Sequence, residues 1–158
     1  MVMATQTRDA SPPAGYDPSR FPAFAVTVDV VILTMLEGTL HAVLIRRGEA
    51  PFKGMWAIPG GFKRPDETLD GAAKRELVEE TGVDAASLLT QFGAYGDPGR
   101  DPRMNVVTIA YLAVLRDVGT LTAGTDAAGG RPAELYRAGR AWRHGGPIHR
   151  LPRAGEEK

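Results

Sequence analysis

The chain has no cysteine among its 158 residues, which removes disulfide stapling, thiolate metal sites and cysteine nucleophiles together. It also has no net charge, with 19 basic against 19 acidic residues. A nucleic-acid or anionic-membrane partner is therefore not expected on electrostatic grounds. No stretch approaches the length of a membrane span, and the N-terminus, Met1 to Asp9, lacks the apolar core of a signal peptide. A cytoplasmic protein follows as the expectation. The length suits one well-buried domain and not two.

What the chain does have is concentrated between Gly61 and Val83. Six carboxylates fall there, three of them at Glu76, Glu79 and Glu80. On a helix, offsets of three and four residues place those three on one face. Like charges so close repel, and a hard divalent ion such as Mg²⁺ or Mn²⁺ is the compensation that oxygen ligands favour. A charge run by itself more often means a solvated helix face. Two features argue against that here. The carboxylates follow Gly60-Gly61, where no Cβ keeps the backbone from a ligand. Leu69, Ala72, Ala73 and Leu77 also form an apolar stripe that docks the helix on a core. Thr68 is placed to cap its start and Gly82 to end it, giving about three and a half turns. Arg75, four residues before Glu79, can orient that carboxylate.

Strands dominate on either side of this helix. Phe24 to Leu36 alternates and then turns wholly apolar, Glu37-Gly38 makes a turn, and Leu40 to Arg47 returns as a hairpin partner. Met55 to Ile58 is a short strand, Leu88 to Tyr95 another, and Asn105 to Leu115 the strongest in the chain. Between the last two lies a polar loop, Gly96 to Arg103. Residues 1–22 read as a flexible leader, 23–137 as the domain, and 138–158 as a tail rich in Gly, Pro and Arg. Ala133 to Arg137 can serve as a further strand. Strands around one long helix predict a mixed α/β or α+β layered domain.

The run from Gly61 resembles the Nudix box, Gly-x5-Glu-x7-Arg-Glu-U-x-Glu-Glu-x-Gly-U with U aliphatic. Gly61, Glu67, Arg75, Glu76, Leu77, Glu79, Glu80, Gly82 and Val83 fill its nine specified positions in order over 23 residues. The resemblance implies an α/β/α sandwich with a mixed sheet, and hydrolysis of a nucleoside diphosphate linked to another group. The closing helix that the family supplies is not legible in Gly139 to Gly155. By the same resemblance Glu76, Glu79 and Glu80 are metal ligands, with the Gly60 carbonyl joining them and Glu67 assisting, for two or more Mg²⁺ or Mn²⁺ ions. Glu76 is one candidate for the base. The family also draws on acids of a later loop, where Asp126 is the first choice and Glu134 the second.

Pro98 lies 15 residues beyond Val83, a spacing similar to that of the family's ADP-ribose pyrophosphatases, although Asp97-Pro98-Gly99 is also a sound turn. Arg100 and Arg103 beside it suit a phosphate or a second ribose, and Arg46 and Arg47 suit the other phosphate. Phe52, Trp56 and Phe62 are candidates to stack on adenine, with a core role for Trp56 equally in view. The expectation is a Mg²⁺-dependent hydrolase of ADP-ribose, and the resemblance implies a homodimer paired through its N-terminal strands as related enzymes are. Sanitising of nucleoside triphosphates is an alternative within the family. The chain also looks like the sensor domain of Nudix-related repressors, but about 40 residues after the last strong strand are too few for a DNA-binding domain.

Overall fold

A computed structural model describes residues 11–121 and 133–137 of the chain. The first hairpin joins β1 (Ala25–Leu36) to β2 (Thr39–Arg46). Its two turn residues, Glu37 and Gly38, have φ of 49° and 74°. A two-residue turn with positive φ at both positions matches the twist of the strands, which is why glycine sits at one of them. β6 (Val106–Leu115) then lies parallel to β1 over ten paired positions, from Ala25↔Val106 to Thr34↔Leu115. β5 (Thr90–Tyr95) pairs antiparallel with β6 and carries an irregularity between Gln91 and Gly93. Two short strands complete the site side of the sheet: β3 (Trp56–Ala57) on β2 and β4 (Gly60–Phe62) on β1. β7 (Glu134–Arg137) pairs with β2. The main path runs β3-β2-β1-β6-β5, a mixed sheet as the pattern of the sequence predicts.

One helix, α1 (Leu69–Thr81), lies on one face of this sheet. The face is set by alternation, since successive strand residues point to opposite sides. Val28, Val30 and Ile32 of β1 and Tyr111 and Ala113 of β6 therefore point the same way, and all meet Ala72, Ala73 and Leu77 of α1 in one buried cluster. Full burial of a side chain such as Ile32 or Leu77 contributes about 2 kcal/mol. The expected apolar stripe is thus the docking face, with Leu69 packed at its edge.

The opposite face is mixed. Near β4 it is polar, while further along β1 and β6 it turns apolar: Met35, Leu40 and Val114 are exposed there. Several boundaries differ by a residue or two from those expected. β1 begins at Ala25, and β5 begins only at Thr90 because Ala86–Leu88 close into a 3₁₀ turn first. Pro18–Arg20 form another such turn, capped by Asp17, in what reads from sequence as leader. Residues 1–10, Asp126, the tail 138–158 and the question of a closing helix lie outside the described residues. No helix among the described residues is long and apolar enough to cross a membrane.

Candidate active site

The acidic helix is bounded as its sequence predicts. The Thr68 hydroxyl accepts the Gly71 N–H at 3.0 Å, and Gly82, at φ 72°, donates its N–H to the Val78 carbonyl. Those caps satisfy end groups that would otherwise be left to water. They also fix the register in which Arg75, Glu76, Glu79 and Glu80 leave the helix.

Arg75 gathers the acids. Its Nε and Nη2 grip Glu67 in a two-point contact of 3.0 and 2.7 Å, while Nη1 reaches Glu76 at 2.7 Å and Glu79 at 3.1 Å. Nη2 also donates to the Phe62 carbonyl at 3.1 Å, tying the helix to β4. One guanidinium thereby offsets three carboxylates, a geometry lysine cannot copy. Hydrogen bonds from Arg75 and from the Arg64 N–H hold Glu67 down at about 2. The Arg75 guanidinium is held above its ordinary range, chiefly by Glu67. Arg64 comes within 3.8 Å of Glu79, but both are exposed and the pair adds little.

Glu80 stands apart from this clasp. Its Oε2 accepts the Gly60 N–H at 2.7 Å, and burial pushes its carboxyl up to about 8. Burial also raises Glu76, against the pull of Arg75. The two glycines are required by space. A Cβ on Gly61 would stand 2.2 Å from Glu76 Oε1, and one on Gly60 would stand 2.3 Å from the Val28 carbonyl oxygen and 2.5 Å from Asp29 Oδ1.

Among the described residues no three acidic or histidine side chains already converge on one point. The cause is visible: Arg75 holds Glu76 and Glu79, while Glu80 turns to Gly60. The donor set still fits a hard divalent cation. It consists of oxygens only, and Glu80 is a half-buried carboxylate with Glu76 and Asp29 as acidic neighbours, an environment that calls for positive charge.

The other candidates divide between two regions. Arg46 and Arg47 hold the loop between β2 and β3, through Nε bonds to the carbonyls of Gly54 at 2.8 Å and Pro51 at 2.9 Å. Phe52 is exposed on that loop. Trp56 packs against Tyr136 at 4.6 Å and has the Arg46 guanidinium 5.9 Å from its ring, so its contacts are those of a packed side chain. Phe62 is exposed on β4, with the Arg103 guanidinium 4.9 Å over its ring. Arg103 is in turn bound at two points by Asp101, at 3.0 and 2.7 Å, which satisfies its fork and holds Asp101 at about 2. Pro98 and Arg100 lie on the exposed loop between β5 and β6, where Arg100 comes within 4.0 Å of Asp29. Glu134 stands in β7, not in a loop, and accepts from the Tyr136 hydroxyl at 3.1 Å.

Asp29 is the residue that sequence reasoning missed. It is a polar position in an alternating strand, which reads as solvent-facing. Its partners are revealed only by pairing: β1 lies beside both β4, opposite Gly60, and β6, whose Thr108 donates to Asp29 Oδ2 at 2.7 Å.

A family model described as "NUDIX domain" matches residues 23–143. The chain is 42% identical over 114 residues to the ADP-ribose pyrophosphatase of Methanocaldococcus jannaschii, covering 71% of this chain and 61% of that protein. It is 39% identical over 104 residues to the ADPR responsive transcriptional repressor NtrR of Acinetobacter baylyi, covering 65% of this chain and 41% of that protein. It thus spans less than two thirds of either relative. Among solved structures, the NUDIX domain of Shewanella oneidensis NrtR complexed with ADP ribose superposes with a TM-score of 0.69 at 31% identity, covering 78% of this chain and 79% of that one.

Proposed function

The chain belongs to the NUDIX family, and from that premise we propose that it hydrolyses the diphosphate of a nucleoside diphosphate derivative, with ADP-ribose, giving AMP and ribose 5-phosphate, as the preferred substrate. The observation that carries this reading is the clasp of Glu67, Glu76 and Glu79 on Arg75 beside the half-buried Glu80. A scaffold with no charge to bind would not assemble four carboxylates there. Glu76, Glu79 and Glu80, with Glu67 and the Gly60 carbonyl, are the residues that would hold two or more Mg²⁺ ions, Mn²⁺ being a substitute. When bound, the metal neutralises diphosphate oxygens and lowers the pKa of a coordinated water.

The protein's own groups do the orienting. Arg75 holds Glu67, Glu76 and Glu79 in place without occupying Glu80. Burial makes Glu76 more basic than an ordinary glutamate, which suits it to accept the proton of the attacking water. The oxygen of that water bonds to one phosphorus, the bridging P–O bond breaks, and the second phosphate leaves. Arg100, beside Asp29 where β1 pairs with Gly60 of β4, and the Pro98 turn on the same loop are the groups assigned to the substrate in this reading. Similarity to an ADP-ribose pyrophosphatase and to a NUDIX domain complexed with ADP ribose supports ADP-ribose over a nucleoside triphosphate. The working unit is a homodimer through the N-terminal strands, supported by the exposed apolar part of β1.

The test is chromatography of products after incubation with ADP-ribose and Mg²⁺. AMP is expected from the wild type and not from a Glu79→Gln/Glu80→Gln variant; a folded wild type that makes no AMP sinks the ADP-ribose assignment. A second reading, an ADP-ribose-responsive regulator, is favoured by the name of the Acinetobacter relative. Retardation of promoter DNA in a gel, changed by ADP-ribose, would support it.

A further inference from the structure

Asp29 sits mid-strand in β1, paired with Gly60 of β4 on one side and Ala110 of β6 on the other. Its neighbours Val28 and Val30 are buried against α1, so its own side chain points to the face away from the helix. A carboxylate at the centre of a sheet is a poor choice for stability alone, because desolvation opposes its charge and threonine or valine would suit the strand better. Burial does oppose it here. The residue is nevertheless built in. Thr108 donates its hydroxyl to Asp29 Oδ2, and Thr27, paired with Thr108 across the strands, contacts the same hydroxyl.

What this construction holds is Arg100, whose Nη2 lies 4.0 Å from Asp29 Oδ2. The loop that carries Arg100 is exposed and makes mostly local bonds: Arg100 N–H to the Asp97 carbonyl, and Arg103 to Asp101. Arg103 over Phe62 and Arg100 beside Asp29 bring its side chains to the sheet. The arginines differ in what remains free. Arg103 is gripped at two points by Asp101, whereas a single contact of 4.0 Å is longer than a hydrogen bond and leaves the Arg100 fork available. On its other side Asp29 Oδ1 abuts Gly60, whose N–H binds Glu80. Asp29 thus stands between the one uncommitted arginine fork of this loop and the acidic site.

We propose that Asp29 is a positioning residue that holds Arg100 over the Gly60 edge of the site, aimed at a phosphate of the bound nucleoside diphosphate derivative. The proposal rests on the hydrolase reading above and adds the residue that positions its Arg100. Loss of Asp29 leaves the carboxylates of α1 in place but lets Arg100 swing with its loop, so substrate capture suffers more than the chemical step.

The experiment is a double-mutant cycle of Asp29→Asn, Arg100→Ala and both together, read in KM and kcat for ADP-ribose with Mg²⁺, and in thermal melts. Asp29→Asn is expected to raise KM about threefold, the scale of an ion pair between partly exposed groups, with a smaller change in kcat. Arg100→Ala should raise KM at least as much, and the double variant should match Arg100→Ala. Melts should be no lower for Asp29→Asn, since a half-buried charge is removed while its oxygen can still accept from Thr108. Effects on KM that multiply in the double variant, or a fall in kcat at constant KM, overturn the proposal. If the wild type cleaves some other nucleoside diphosphate derivative, only the ADP-ribose reading fails and the cycle is read on that substrate. If it cleaves none, the cycle is read in the affinity for inorganic pyrophosphate by calorimetry, and absence of coupling there overturns the proposal.

Discussion

Gly60 and Gly61 are neighbours in the chain, yet a methyl group on each meets different matter. On Gly60 it would press on the Val28 carbonyl and Asp29 Cα, both backbone atoms that cannot move without shifting β1; on Gly61 it would press on the end of the Glu76 side chain. Gly60→Ala should therefore destabilise the fold by roughly 2–3 kcal/mol, as overpacking does. Gly61→Ala should keep its melting temperature and lose activity, because Glu76 rotates away; equal melting losses in the two variants would contradict this account. Arg75→Lys is expected to lower kcat at least about tenfold, since an ammonium cannot grip Glu67 at two points and reach Glu76 and Glu79 as well. NMR titration should show the Glu67 carboxyl rising from about 2 in that variant. Most of this constellation was legible beforehand, because helical spacing alone puts Arg75, Glu76, Glu79 and Glu80 on neighbouring faces. Asp29 was not, since its meaning comes from strand pairing with Gly60 and Thr108, and register between distant strands leaves no local mark in a sequence.

At the scale of elements, α1 is held to the sheet at its first turn as well as along its apolar stripe. Asp70 accepts a 2.6 Å hydrogen bond from Tyr111 of β6, whose ring is buried under the helix. Burial and the Asp70 charge push the Tyr111 hydroxyl up to about 12 from an ordinary 10.0. A group raised on folding contributes stability that is complete below its unfolded value and lost as pH climbs through the folded one. Melting temperature should consequently fall above about pH 10, and the fall should be complete near 12. Tyr111→Phe should lose about 1 kcal/mol at neutral pH and show less of that alkaline decline; an unchanged decline would locate it elsewhere. Thr68→Ala, which removes the cap on Gly71, should cost about 1 kcal/mol by denaturant melts. The helix, its caps and the long strands were all readable from periodicity and capping residues. The 3₁₀ turn at Ala86–Leu88 was not, and it shortened the expected strand because apolar residues there suit a strand and a turn alike.

For the whole molecule, the two faces of the sheet have different fates. One is sealed by α1, with Val28, Val30, Ile32, Tyr111 and Leu77 fully buried. The other is polar where Asp29, Thr27 and Thr108 meet, and apolar further along, where Met35 and Val114 are 55% and 62% exposed and Leu40 is exposed beside them. Exposed apolar side chains grouped on one sheet face mark a contact surface more often than a scattered few would. They are contributed largely by the first hairpin, where the proposed homodimer pairs its subunits. Met35→Lys/Val114→Lys should then shift sedimentation from dimer to monomer, because two buried ammonium groups have no acceptor across an apolar interface. The fold of each subunit should survive, since both side chains are already outside the core. ADP-ribose hydrolysis per chain separates two kinds of dimer. Activity retained by the monomer means that Glu76, Glu79, Glu80 and Arg100 of one chain suffice, whereas activity lost with the dimer means that the partner completes the site. A variant that remains dimeric would move the interface off this face altogether.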